Sequence, residues 1–200
     1  MPLPLPQPET RACACCTAQA VNAQRRRIIQ IAASGLAAPL ALMADEAWSK
    51  PADGDRLVEE STEGVPTPLR LSDIPVGKPL LVYPFDVSQN KVRDDSRLNK
   101  VVLMRFAEGV LDAESSARSA GGVLAFSAIC THQGCDLKTW STKDQLLVCF
   151  CHSTKYRLLE GGTVASGPAQ RSLPSMPLKL EGDLIVVAGG FSAPPGGQVA

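Results

Sequence analysis

Histidine and aromatic side chains are scarce in this 200-residue chain, which has two His, two Trp, two Tyr and five Phe. Excess charge is absent as well. Twenty Lys+Arg offset twenty Asp+Glu, which argues against a strongly basic nucleic-acid binder or an acidic tail. No apolar run is long enough for several membrane spans. Disorder throughout is also excluded, because 44% of residues are hydrophobic and 20% charged, enough to fill a packed core. What the chain does have is seven cysteines, sixteen glycines and sixteen prolines. With so few aromatics, that balance reads as a loop-rich β domain. The length suits one domain, or a domain with a tail.

The amino end reads as an address. Met1 to Thr10 is MPLPLPQPET, and alternating proline forbids a regular helix or a central strand. Cys13, Cys15 and Cys16 follow, then Arg25, Arg26 and Arg27, and at once an Ala-rich apolar run from Ile28 to Ala44. A cationic stretch before a short apolar one is the layout of an export signal. Gln24-Arg25-Arg26-Arg27-Ile28-Ile29 resembles the twin-arginine pattern, with Gln24 in the usual polar position. The run contains Gln30, Ser34, Gly35 and Pro39 and falls short of the roughly 20 apolar residues of a spanning helix. It is read as a cleaved signal, with Leu42-Met43-Ala44 as the site, or as an uncleaved anchor. A cut after Ala44 would remove four Arg and one Glu and leave sixteen bases against nineteen acids. It would also remove three of the seven cysteines. Those three are taken as incidental thiols, and Trp48 and Trp140 as packing residues.

The remainder reads as all-β. Strand-like runs occur at Leu80–Tyr83, Lys100–Phe106, Val123–Ile129, Gln145–Cys149 and Leu184–Ala188. Lys179 to Leu184 reads as a hairpin turn between alternating strands. Leu111 to Ala120, closed by Gly121-Gly122, is the one other candidate helix, inserted between two strands. Short strands at even spacing predict an antiparallel sandwich or barrel. The expected organisation is a disordered tail over 1–24, a signal or anchor helix over 25–47 and a linker over 48–69. A β domain over 70–193 and a C-terminal tail over 194–200 complete it.

The chemistry concentrates in two segments, Cys130-Thr131-His132-Gln133-Gly134-Cys135 and Cys149-Phe150-Cys151-His152-Ser153-Thr154-Lys155-Tyr156. Each follows a predicted strand, so each is a loop at a strand end. Both histidines of the chain lie here. Three readings compete. A pair of structural disulfides leaves the placement of both His unexplained. Zinc on two Cys and two His is chemically acceptable, but common zinc knuckles pair Cys with Cys and His with His. A [2Fe–2S] cluster with thiolates on one iron and imidazoles on the other needs one Cys and one His from each loop, and the census fits it best.

The paired motif C-T-H-x-G-C and C-x-C-H-S/T-x-x-Y resembles the Rieske iron–sulfur protein family, from about Lys100 to Phe191. The resemblance implies that Cys130 and Cys149 hold one iron and His132 and His152 the other. It implies a disulfide between Cys135 and Cys151, as in the high-potential branch of the family. Thr154 and Tyr156 match hydroxyls that bond to cluster sulfur and to a ligand Cys. Gly167-Pro168-Ala169 matches a loop that covers the cluster. Imidazoles in place of two thiolates make the cluster less negative and easier to reduce. In the family the outer imidazole edges are exposed and their protonation couples to redox state. A disulfide implies an oxidising compartment, in agreement with the export signal. The expected location is therefore the periplasmic side of a bacterial inner membrane, soluble or N-terminally anchored.

Four positions depart from the pattern. Gln133 stands where quinol-oxidising members carry an apolar residue that lines their docking surface, which counts against quinol docking. Phe150 replaces a frequent Pro, Ser153 a usual Gly, and Thr154 a usual Ser. Leu71-Ser72-Asp73-Ile74 and Lys78 to Asp86 resemble the front end of arsenite oxidase small subunits. The expected function is one-electron transfer, as the small subunit of an exported oxidoreductase complex with a catalytic redox partner and a cytochrome c-like acceptor. The alternative is the Rieske subunit of a quinol–cytochrome c reductase, with a cytochrome b partner. A metal-free or zinc-binding structural β module is the remaining alternative. A ring-hydroxylating oxygenase would need two further His and a carboxylate for mononuclear iron, and both His are already used.

Overall fold

Continuous aliphatic runs such as Val101-Val102-Leu103-Met104 make strands that are covered on both faces, and the computed structural model shows what covers each face. It describes residues 50–60 and 64–197. The signal or anchor segment 25–47, Cys13, Cys15, Cys16 and Trp48 lie outside the described residues. None of the described helices is long and apolar enough to cross a membrane.

Among the described residues, twelve strands form two antiparallel sheets. The larger contains β1 (Arg56–Glu59), β2 (Pro79–Asp86), β3 (Lys91–Val92), β4 (Val101–Arg105), β5 (Val123–Ser127), β10 (Ser175–Met176), β11 (Leu178–Glu181) and β12 (Leu184–Val187). Its order is β10-β5-β4-β2-β1-β12-β11, with β3 also on β2. The two ends of that order, β10 and β11, are separated in the chain by Pro177 alone. The sheet therefore curls into a nearly closed barrel. The smaller sheet is the meander β6 (Thr139–Ser141), β7 (Leu146–Val148), β8 (Lys155–Arg157) and β9 (Thr163–Ser166).

Side chains alternate between faces along a strand, and here both faces are used. Val101, Leu103, Val123 and Ala125 point into one core with Leu57, Val82, Ile185 and Val187. Their neighbours Val102, Met104, Leu124 and Phe126 point into a second core with Leu147, Tyr156, Leu158 and Leu173. The second core seats the smaller sheet on the barrel. Trp140 packs edge-on against Phe106 at its margin, with ring centroids 5.9 Å apart.

The stretch read from the sequence as a linker needs correction. Residues 56–59 form β1, paired with β2 on one side and β12 on the other. Surrounding Pro, Gly and acidic residues hide a strand of only four residues, whose Leu57 and Val58 are buried. The inserted helix, α1 (Ala113–Arg118), is shorter than the span expected. Asp112 caps it by accepting from the Ser115 N–H at 2.7 Å. It lies between the paired strands β4 and β5, so it is an excursion from the sheet.

The amino end of β1 is fixed by a buried cation. Arg93 donates to both carboxylate oxygens of Asp55, at 2.7 and 3.1 Å, and to Asp86 at 2.9 Å. Removing one partner of a buried ion pair leaves an uncompensated charge, at a cost of about 3–5 kcal/mol. Arg93→Met should therefore lose about that much stability in a denaturant titration. Loss of under about 1 kcal/mol would show that water already reaches the cluster.

Candidate metal centre

Both predicted loops sit where the two sheets meet. The first leaves the end of β5 and leads into β6. It folds back on itself, because the Cys130 N–H donates to Cys135 O at 2.8 Å and the Gly134 N–H to Cys130 O at 3.0 Å. The second joins β7 to β8 and closes with the Cys149 N–H donating to Thr154 O at 2.8 Å. Ser153 takes a left-handed conformation, φ +57°, which most side chains disfavour. This explains the family preference for Gly there.

The loops are joined by a disulfide between Cys135, at the base of the first, and Cys151, in the second, with Cα atoms 6.6 Å apart. The sulfurs of Cys135, Cys149 and Cys151 lie within 4.8 Å of one another. That trio is not a ligand set, since two of its members are bonded to each other and offer no thiolate. Cys130 and Cys149 are free thiols, each 1% exposed. The rings of His132 and His152 face each other nearly perpendicularly, with centroids 4.7 Å apart. His132 is half-buried and His152 exposed. The structure thus carries all four expected ligands on two loops that the disulfide joins.

Two buried groups here lack a partner within the protein. His132 Nδ1 and Thr154 Oγ1 are buried without a hydrogen bond, which is costly unless something else fills the role. Burial pushes the Cys149 thiol up in pKa, while the backbone N–H groups of Cys151 and His152 oppose that shift by favouring its anion. The Tyr156 hydroxyl, fully buried, lies 3.2 Å from Cys130 Sγ and 2.9 Å from Thr131 Oγ1, and accepts from the Thr131 N–H at 3.1 Å. Burial and Cys130 together push its pKa well up, so it keeps its proton. Two soft thiols, two imidazoles and an orphaned hydroxyl form a donor set that suits an iron–sulfur cluster.

Gly167, at φ +99°, lets the following Pro168 loop rest on the second loop. An added Cβ would meet Thr154 Cα at 2.5 Å. Pro168 itself is exposed. Sequence reasoning gave no role to Thr131, although it lies inside the first motif. It also passed over Arg171, whose carbonyl accepts from Thr131 Oγ1 at 2.8 Å. No local pattern marks Arg171, because it lies forty residues away along the chain.

An ion network braces the base of the first loop. Asp136 accepts from Arg97 at 2.7 Å and from Lys100 at 3.1 Å, and Lys100 also pairs with Glu60 at 2.6 Å. Burial pushes the Asp136 carboxyl up, but the bonds from Arg97 and Lys100 outweigh it and hold its pKa below the usual 3.8.

The Rieske [2Fe–2S] domain model matches residues 79–177. The cytochrome bc1 complex Rieske iron–sulfur subunit of Streptomyces lividans is 29% identical over 153 residues, covering 74% of this chain and 86% of that protein. A putative respiratory nitrate reductase Rieske subunit of Haloferax mediterranei is 35% identical over 101 residues, 48% of this chain and 45% of that protein. Among solved structures, the soluble domain of Rieske protein II from Sulfolobus acidocaldarius is 26% identical, with a TM-score of 0.38. It covers 48% of this chain and 64% of that one.

Two predictions follow from this geometry. A depressed carboxylate pKa stabilises the fold above its unfolded value and loses that contribution as pH falls through the folded one. Asp136→Asn should therefore flatten the loss of stability below about pH 4, read as denaturation midpoints across an acid series. An acid limb as steep as that of the wild type would exclude Asp136 as a contributor. Cys135→Ser opens a link of sequence separation 16 and should lower stability by about 3 kcal/mol on the chain-entropy account. Reductant should reproduce that loss in the wild type and leave the variant unchanged.

Proposed function

Residues 79–177 are a Rieske [2Fe–2S] domain, and on that premise we propose that Cys130 and Cys149 bind one iron and His132 and His152 the other. The observation that carries this assignment is a buried free thiol on each of two disulfide-joined loops whose imidazoles lie 4.7 Å apart, with His132 Nδ1 left without a partner. A bound cluster supplies one-electron redox chemistry, at potentials of about −150 to +300 mV for this ligand type.

The protein's own groups set the upper part of that range. Thr131 Oγ1 gives its one proton to the Arg171 carbonyl. Thr131 Oγ1 and Cys130 Sγ are then both acceptors for the Tyr156 proton, and a thiolate at Cys130 is the stronger of the two. The N–H groups of Cys151 and His152 favour negative charge on Cys149. The buried Thr154 hydroxyl is available to a sulfide. Each of these bonds withdraws electron density and raises the potential. The disulfide clamps the loops.

The protein acts as an electron-transfer subunit of a larger oxidoreductase complex. Exposed His152, with exposed Gln133 and Phe150 on the same two loops and exposed Pro168 after the Gly167 that rests on Thr154, is the face offered to a redox partner. Gln133 at this tip favours a catalytic redox subunit, similar to the arrangement of arsenite oxidase, over a quinol pocket. The nitrate reductase relative also lies outside quinol–cytochrome c reductases. The second reading, the Rieske subunit of a quinol–cytochrome c reductase with a cytochrome b partner, draws support from the Streptomyces relative, which covers 74% of this chain. A cytochrome c-like protein is the acceptor in either case. The disulfide supports an oxidising compartment, and Arg25–Arg27 with the apolar run after them support twin-arginine-type export to the periplasmic side, soluble or anchored.

The purified protein, reduced, should show an EPR signal with average g below 2, and its absence would sink the assignment. Cys130→Ser and His152→Ala should each abolish the signal. Tyr156→Phe should keep the cluster but lower its potential, measured by redox titration. Copurification from the native host separates the two partners: a molybdenum-containing subunit supports the first reading and a cytochrome b the second.

A further inference from the structure

The chain after β12 returns to the metal centre. Its start is pinned to β10, because the Ser192 N–H donates to Ser175 O at 2.8 Å and Ser192 Oγ accepts from the Ser175 N–H at 3.0 Å. Pro194 and Pro195 favour an extended backbone. Gly196 is buried at φ +97°, and an added Cβ there would approach Leu98 at 3.2 Å. At Gly197 an added Cβ would lie 2.8 Å from the His132 carbonyl oxygen and 3.0 Å from Gln133 Cα. The backbone of 196–197 therefore rests directly on the loop that carries His132. Read from the sequence as a tail, this stretch is a strap.

Arg171 holds both parts. Its guanidinium donates to Gly196 O, and its own carbonyl accepts from Thr131 Oγ1. The opposite flank of the same loop is held by Arg97, which donates to Gly134 O and Asp136. The geometry points to Arg171 and the strap 194–197 as positioning elements of the metal centre. They fix the His132 loop, and through Thr131 they fix the distance of Cys130 Sγ from the Tyr156 hydroxyl. This inference rests on the ligand assignment above.

When the strap is released, Arg171 loses its anchor and the Thr131 hydroxyl loses a fixed acceptor. The loop that carries Cys130 and Thr131 then shifts from Tyr156, the Tyr156 bond to Cys130 Sγ lengthens and weakens, and the sulfur keeps more electron density. The potential falls.

The test uses Arg171→Met, which keeps side-chain length but removes the donor, and Gly197→Ala, which forces strap and loop apart. In the cluster-loaded full chain, each should shift the reduction equilibrium at least tenfold toward the oxidised form, about 59 mV for one electron, and alter the EPR g values. In the metal-free protein, amides 131–134 should exchange with deuterium at least tenfold faster. Arg171→Lys, which restores a donor toward Gly196, should recover most of both effects. Wild-type potential, spectrum and exchange in both variants would overturn the inference. So would a loss of stability with the folded fraction keeping its potential and spectrum. If Arg171→Met does not fold, Gly197→Ala decides alone. A wild-type protein without a cluster would instead refute the ligand assignment, which the exchange data on the metal-free chain do not depend on.

Discussion

Tyr156 carries the hydroxyl on which the two halves of the site depend. It belongs to β8 in the small sheet, yet its polar tip meets Cys130 and Thr131 on the loop from the barrel. A fully buried phenol needs a partner, and among the described residues its hydrogen-bond partners are on that loop. The small sheet can therefore seat on the second core in one register. A shift would leave the hydroxyl, the Thr131 N–H and two thiols buried and unpaired at once. Each such group costs about 1–3 kcal/mol. The disulfide and the Tyr156 contact are separate links across the same gap between the loops, so its width is set twice.

The charged groups are distributed to match. Arg93, with Asp55 and Asp86, locks β1 to β2 far from the metal centre in the chain order. Lys100 and Arg97 sit at the base of the first loop and neutralise Asp136. The loops themselves carry hydroxyls, amides and imidazoles rather than fixed charges. Such groups stabilise thiolates without confining them to one net charge, and that suits a centre whose charge changes by one on each transfer.

The site was more legible in the sequence than the barrel. Ligands and disulfide cysteines are packed into two motifs of six and eight residues, and spacing within a loop fixes what its side chains can reach. The strands Val101–Arg105 and Val123–Ser127 were legible because both faces are covered and the runs are continuously apolar. β1 was not, since four residues among acids and glycines carry no periodic signal. The short strands β8, β9 and β10 were missed for a related reason: they are held by pairing and by the second core, while their own sequences (KYR, TVAS, SM) are weakly patterned. Arg171 and the strap were illegible because their contacts are long-range and made largely through backbone carbonyls, which every residue possesses.

The exposed tip limits what kind of contact it can make. Phe150 is 75% exposed and stands beside polar His152 and Gln133, so the tip offers one large apolar anchor in a polar setting. Transient electron-transfer encounters bury less than about 1,200 Å², whereas permanent subunit contacts bury about 2,000 Å² or more and are more apolar. A single phenylalanine on two narrow loops fits the first class. The loops are also braced on every side, by the disulfide, Tyr156, Arg97 and the strap, so docking there would require little reordering. A permanent place in a complex would have to rest on some other face, leaving the tip free to meet and release its partner.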